Sequence, residues 1–272
     1  MPKFSRNQRI AVITKYLTEN PNRVINLNQF MSMFNAAKST VSEDIVVVRE
    51  VMKKMNLGKI ETISGASGGI KYTCTISEDD SLQFANNVCE ILIDKSRIVP
   101  GEFIYISDIL FDPKIVHKAG VILASSFSES KIDYVVTVET KGIPLAYEVA
   151  KMLGVNLIIV RRDNKVTEGP TVSINYVSGS SNRIQTMSLS KKSIKKDSKC
   201  IFIDDFMKAG GTAIGIIDLL KEFESELVGI GVLIDNVNIN KKLKEKYVSI
   251  IEFKGFEEDG NPIVSPAIDK TQ

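Results

Sequence analysis

Hydrophobic and polar positions follow one rhythm in the first seventy-odd residues of this chain and another in the rest. At the start the period is helical: Ile10, Ile13, Tyr16 and Leu17 recur at helical spacing and predict a helix over residues 9–17. Asn20-Pro21 interrupts it, residues 27–34 predict a short second helix, and residues 35–39 read as a turn. Thr40 and Glu43 have the spacing of a capping box. They predict a longer third helix from Thr40 to about residue 55, with Val41, Ile45, Val48 and Met52 facing inward. Two β-prone runs, residues 59–63 and 70–75, flank a turn-rich stretch at 64–69, which predicts a hairpin.

From residue 78 to about residue 127 the pattern gives helical pieces, broken at Pro100-Gly101 and Pro113, with a β-prone stretch inside residues 97–110. Beyond Lys131 the rhythm becomes strand–helix–strand. Strands are predicted at 132–138, 155–160, 200–203 and 227–235, and helices at 143–153 and 214–223. Strands alternating with helices imply an α/β domain whose parallel sheet holds a ligand at the strand carboxyl ends. Between residues 161 and 190 lies a long polar segment. Alternating Val172, Ile174 and Tyr176 predict a β-arm in it, with residues 178–182 at the tip. The domain boundary is set at 75/76, giving domains 1–75 and 76–272.

Candidate chemistry concentrates in residues 201–212, IFIDDFMKAGGT. A strand buried on both faces ends in Asp204 and Asp205, and the stretch Phe206, Met207, Lys208, Ala209, Gly210, Gly211 leads into a helix begun by Thr212. The glycines let backbone N–H groups approach an anion, and the helix start adds partial positive charge where a phosphate would sit. The two aspartates suit ribose hydroxyls or a magnesium ion. One strand–helix unit earlier, Thr140, Lys141 and Gly142 form a second loop of the same kind. Arg161, Arg162 and Lys165 follow the next strand and can reach phosphates, with Lys165 the preferred residue.

Composition narrows the class. With 43% hydrophobic and 25% charged residues over 272 positions, the chain can bury a substantial core. No apolar run approaches the roughly 20 residues of a membrane span, and the first ten residues lack the apolar core of a signal peptide. Cys74, Cys89 and Cys200 are scattered and odd in number, reading as reduced core fillers in a cytoplasmic protein. A single histidine, His117, gives no basis for a histidine metal site or a Ser-His-Asp triad. The net charge of +2 hides an asymmetry. Residues 1–74 carry 11 Lys+Arg against 5 Asp+Glu, whereas the remainder carry 24 against 28. A basic module on a mildly acidic body points to a polyanionic partner. Phosphate contacts are assigned to Arg6, Lys38, Ser39, Thr40 and Lys71, and Ser42 is the candidate for a base-edge contact.

Two short helices, a longer one and a hairpin resemble winged-helix DNA-binding domains over most of residues 1–74, with the third helix as reader. Residues 201–212 resemble the phosphoribosyl-pyrophosphate (PRPP) motif of type I phosphoribosyltransferases, with Ala209 where that family usually has Thr. The two parts in this order, with TKGIPLA and the long arm between them, resemble the PurR family of Gram-positive purine regulators over nearly the whole chain. Phe103 departs from that family's usual Tyr. The resemblance implies a homodimeric regulator of purine synthesis and salvage genes that binds operator DNA. It also implies a phosphoribosyltransferase-like domain that takes PRPP as effector and does not catalyse transfer. In those enzymes the loop matching Thr140–Gly142 binds pyrophosphate, and a flexible loop matching the long polar segment closes over the reacting centre. A pocket for pyrophosphate on a ribose should also admit guanosine nucleotides bearing pyrophosphate. The alternative is an active purine phosphoribosyltransferase of the xanthine type.

Overall fold

The computed structural model describes residues 4–267 except 66, 102, 164–168, 178–182, 240–242 and 244–246. Two compact units are present, Met1–Ser77 with the short segment Lys151–Gly154, and Glu78–Ala150 with Val155–Gln272.

In the first unit, α1 (Arg6–Glu19), α2 (Leu27–Phe34) and α3 (Lys38–Lys54) pack around Ile13, Leu17, Phe30, Val41, Ile45 and Val48, all buried. A three-stranded sheet completes it: β1 (Val24–Ile25) and β2 (Lys59–Ile63) flank β3 (Gly69–Thr73), every pairing antiparallel. The expected hairpin is β2–β3, closed where Ile63 faces Gly69. Two expectations need correction. The third helix begins at Lys38, two residues before Thr40, with Ala37 at its N-cap and no side-chain cap bond. A capping box forms instead at α1, where Ser5 and Gln8 exchange hydrogen bonds. Thr40 therefore lies within the first turn of α3. There its backbone is already helical, and the local signal at Thr40–Glu43 lost to core packing by Val41.

The second unit begins with α4 (Glu78–Leu92), a 3₁₀ turn at Lys95–Arg97, a small hairpin of β4 (Ile98–Val99) and β5 (Phe103–Ile104), then α5 (Ser107–Phe111) and α6 (Pro113–Ser126). The central sheet contains β6 (Tyr134–Val138), β7 (Asn156–Val160), β10 (Lys199–Met207), β11 (Glu226–Asn236), β12 (Tyr247–Phe256) and β13 (Pro262–Pro266). Their order is β13-β12-β11-β10-β6-β7, parallel throughout except for β13 on the edge. Helix α7 (Ile143–Leu153) follows β6, and α8 (Gly211–Glu222) follows β10. The predicted arm is a separate antiparallel ribbon, β8 (Thr171–Val177) with β9 (Ile184–Ser190), and its expected tip at 178–182 lies outside the described residues. One face of the sheet buries Val136, Phe202 and Ile230 against Ile216 and Leu219 of α8 and Met187 of the ribbon.

The sequence pattern missed β12 and β13, and it made β10 too short. That strand continues through Asp204, Asp205 and Phe206 to Met207, because its pairing with β11 runs on from Asp204↔Val232 to Met207↔Asp235. The two aspartates, expected at the end of the strand, lie inside it, with Phe206 and Met207 still to follow. The connecting loop shrinks to Lys208–Gly210, and α8 opens at Gly211, one residue before Thr212.

Candidate functional site

The sheet order creates a switch point between β6 and β10. After β6 the chain turns outward to β7, and after β10 it turns the other way to β11. Open α/β sheets hold ligands in the crevice such a reversal leaves at the strand carboxyl ends. A cavity of about 580 Å³ lies there, within the range of small-ligand sites.

Its polar end is built from three segments. From the end of β6 come Glu139, Thr140 and Lys141, with a cis peptide between the first two. From β10 come Asp204 and Asp205, and beyond them the loop and first turn of α8, Lys208 through Ala213. Gly210 sits at the α8 N-cap with φ +76°, a left-handed conformation that favours glycine, and among the described residues no side-chain hydrogen bond caps the helix. The first N–H groups of α8 are thus left for a ligand, and the helix dipole favours an anion there. Gly142 lies just behind the wall. A Cβ on it would fall 2.6 Å from Asp204 Oδ1 and 2.8 Å from Thr137 Oγ1, so only glycine lets the two loops come this close. Among the described residues the buried Thr137 hydroxyl has no hydrogen-bond partner.

The electrostatics are set by the acid pair. Burial and the adjacent Asp205 carboxylate hold the Asp204 carboxyl well above the usual range, and Arg162 only partly offsets them. The backbone N–H of Asp205 donates to Asp204 Oδ1 at 2.9 Å, which fixes the carboxyl's orientation. Glu139 works differently: its Oε1 accepts the Arg162 N–H at 2.8 Å, and its Oε2 accepts from Arg161 Nη1 at 3.2 Å. Arg161 is therefore engaged on Glu139, while Arg162 lines the cavity with Lys141 and Lys208. The apolar part of the lining is formed by Phe103, Ile104, Ile106 and Phe253, with Lys208 Nζ 5.3 Å from the Phe103 ring centroid.

Nearly all the residues singled out in residues 140–142 and 204–212 meet in this cavity, Gly142 behind its wall. Lys165 lies outside the described residues. Glu139, which opens the loop before Thr140, joins the residues that line the cavity, whereas pattern alone did not reveal Asp163 or Asn236 as neighbours of the site.

In the first unit, Lys38 and Ser39 are exposed, and Thr40 and Ser42 half-exposed, on the first turn and a half of α3. Arg6 begins α1 and approaches α3 through Asp44, Nε to Oδ1 3.6 Å. Asp44 itself is buried and takes two bonds from Arg9, 2.6 Å from Nε and 3.3 Å from Nη2. Arg49, on the solvent side of α3, donates to the Ile60 carbonyl at 3.0 Å and to Thr62 Oγ1 at 2.9 Å, docking β2 on the helix. Lys71 stands apart from the α3 group, in the middle of the central strand between Val24 and Glu61.

A winged-helix unit and a phosphoribosyltransferase-type α/β unit define a DNA-binding domain joined to a nucleotide-type binding domain. The family model "Bacterial purine repressor, N-terminal" matches residues 5–74, and the phosphoribosyl transferase domain model matches residues 106–261. The chain is 46% identical over 249 residues to the purine biosynthesis transcriptional repressor PurR of Bacillus subtilis, covering 92% of this chain and 87% of that protein. It is 40% identical to the purine biosynthesis transcriptional activator PurR of Lactococcus lactis, covering 92% of each. The chain belongs to the PurR family of purine biosynthesis transcriptional regulators. Xanthine phosphoribosyltransferase of Bacillus cytotoxicus is 30% identical over 167 residues, 59% of this chain and 85% of the enzyme. Among solved structures, adenine phosphoribosyltransferase of Thermoanaerobacter pseudethanolicus shares the fold, with a TM-score of 0.54 at 21% identity over 62% of this chain and 99% of the enzyme.

Proposed function

We propose that this protein is a DNA-binding transcriptional regulator of purine synthesis and salvage genes, and that the cavity at the β6/β10 switch point senses PRPP without transferring its ribosyl group. The observation that carries the reading is the facing pair of Asp204–Asp205 and the uncapped N-terminus of α8 behind Gly210. The carboxylates accept ribose hydroxyls or bind magnesium held by the pyrophosphate, and the α8 N–H groups take the 5′-phosphate. Lys141 and its loop take the pyrophosphate. Ala209 lacks the hydroxyl that transferases usually place in this loop, yet backbone N–H groups carry most of the phosphate binding there.

The first unit engages operator DNA through the start of α3, with the protein acting as a homodimer and without a resident metal or cofactor. Relatives carrying both repressor and activator names support leaving the sign of regulation to promoter geometry. Guanosine nucleotides bearing pyrophosphate compete with PRPP, since the phosphate loops recognise that group and not a base. The likeness to xanthine phosphoribosyltransferase favours a second reading, an active purine transferase. Two measurements decide between them. Operator binding at fixed salt should change with PRPP, and pyrophosphate release from PRPP with xanthine, hypoxanthine or guanine should stay at background. Multiple turnovers would establish the second reading, and operator affinity indifferent to PRPP would reject the first.

A further inference from the structure

Helix α3 buries a carboxylate. Asp44 is 1% exposed, on the same inward side of the helix as Val41, Ile45 and Val48. Arg9 of α1 covers it, with Nε 2.6 Å from Oδ2 and Nη2 3.3 Å from Oδ1. The third arm of that guanidinium, Nη1, donates back to the Phe4 carbonyl at 3.1 Å. Phe4 in turn sets its ring edge-on to Phe34 at the end of α2, centroids 5.4 Å apart, and Ser5 and Gln8 close the capping box between them. Arg6 brings its Nε within 3.6 Å of Asp44 Oδ1 while its side chain stays 59% exposed. One buried carboxylate thus ties residues 4–9 to α3, with Arg6 on the solvent side of the tie.

We propose that Asp44 is a positioning residue for DNA binding: together with Arg9 it fixes the start of α1, so that the Arg6 guanidinium is held beside α3 for a backbone phosphate. This rests on the reading of the start of α3 as the DNA face. A buried ion pair is a poor source of stability, because desolvation offsets the attraction; a fixed geometry is what an apolar pair of the same size does not supply. A long side chain loses rotamer freedom when it grips a phosphate, and one already steered at Nε by an immobile carboxylate loses less. The 3.6 Å contact is longer than a hydrogen bond, and Asp44 is already engaged by Arg9, so Arg6 is steered without being used up. Arg6 belongs to α1 and not to the reader helix, so its contact carries affinity and no sequence information.

The test uses the full chain and two duplexes, one that the wild type selects from a random-sequence pool and a scrambled one of equal length. Arg6→Ala should weaken binding to both alike, roughly 12-fold or more for each Arg6 contact, the lower end for a hydrogen bond to a charged group. It should also flatten the plot of log affinity against log salt by about 0.9 per contact. Arg9→Met with Asp44→Leu removes the anchor at unchanged net charge and should melt no lower than wild type. On that background Arg6→Ala should weaken binding by less than about fivefold, the span of an unoriented surface ion pair. Asp44→Asn keeps an acceptor for Arg9 and gives a second cycle with Arg6→Ala, in which its own added charge cancels; it should show the same loss of coupling, and it decides alone where the apolar pair does not fold. A purely structural pair would lower the melting temperature and leave the effect of Arg6→Ala unchanged. Equal effects of Arg6→Ala with and without the Asp44 carboxylate would therefore overturn the inference, as would wild-type DNA affinity in Arg6→Ala. Lys38→Ala without effect on either duplex would instead reject the start of α3 as the DNA face, and this inference with it.

Discussion

Replacing Asp204 by asparagine should make the ligand-free protein more stable at neutral pH and nearly blind to PRPP. The Asp204 carboxyl is held above its ordinary range by burial first and by Asp205 second. A carboxyl whose folded pKa is raised contributes its stability below the unfolded value of about 3.9, and that contribution is lost as pH rises through the folded value. At pH 7–8 the wild type therefore carries the unfavourable balance and the Asp204→Asn variant does not, so the variant's advantage in melting temperature should grow between pH 5 and pH 8. Ligand binding moves the opposite way. Hydrogen bonds to a charged group are worth about 1.5–3 kcal/mol, which predicts an affinity loss of roughly 10- to 150-fold. At a PRPP concentration 100 times the wild-type dissociation constant, the ligand stabilises wild type by about 2.7 kcal/mol; a 100-fold weaker variant gains only about 0.4. Thermal melts with and without PRPP at pH 5, 6.5 and 8 give both quantities in one series. A variant that is less stable than wild type at pH 8 and no less responsive to PRPP would refute the role assigned to this carboxyl. Asp204→Ala and Asp205→Ala together should abolish the PRPP response yet leave operator affinity in the absence of PRPP largely unchanged.

Lys38→Ala, at the exposed start of α3, should weaken operator and unrelated DNA alike and flatten the plot of log affinity against log salt by about one unit for each phosphate it no longer neutralises; an unchanged slope would remove Lys38 from the interface. Ser42→Ala should narrow the gap between operator and unrelated DNA by about 1–3 kcal/mol, and equal effects on both would make Ser42 a backbone contact. Arg49→Ala releases the Ile60 carbonyl and Thr62 and should destabilise the first unit by roughly 1–3 kcal/mol, read by denaturant titration, with the salt slope of DNA binding unaltered. The Cys74 and Cys89 thiols are pushed up to about 11 and Cys200 to about 12, burial being the first cause in each. All three should resist a disulfide reagent at pH 8 in the native protein and react promptly in denaturant, and rapid native labelling of any of them would contradict its burial.

Much of the site was legible because its chemistry is local in sequence. Residues 201–212 carry their acids, glycines and helix start in one continuous run, so periodicity and loop composition sufficed to find them. The helix at Ile143–Leu153 and the hairpin strand at Lys59–Ile63 were also readable to the residue, since each is bounded by sharp changes of pattern. Strand pairing was not. β10 runs on past its apolar segment because β11 offers partners as far as Asp235, and no local feature of Asp204-Asp205-Phe206 announces that. Strand β12 went unread because Glu252 and Lys254 interrupt its apolar run. The structural partners of the charged residues were equally invisible. Arg9 with Asp44 is 35 positions apart in sequence and Glu139 with Arg161 is 22, and only the fold brings them together.

Binding a phosphorylated ribose and transferring it demand different things of the same cavity. Binding requires donors for phosphate and acceptors for hydroxyls, and both are fixed by backbone: the α8 N-terminus by the turn at Gly210, the acids by strand β10. Transfer further requires contacts that strengthen in the transition state and hold a second substrate in line with the ribose. Besides the phosphate loops, the cavity is lined by Phe103, Ile104, Ile106 and Phe253, apolar groups that exclude water, and by the polar Asp163 and Asn236. Lys208 lies over the Phe103 ring. On the proposed reading, the fixed anion end distinguishes occupied from empty states by the phosphate groups of the ligand. That is the property the proposed effector site needs, and turnover with a purine base would show that the same cavity also aligns a second substrate.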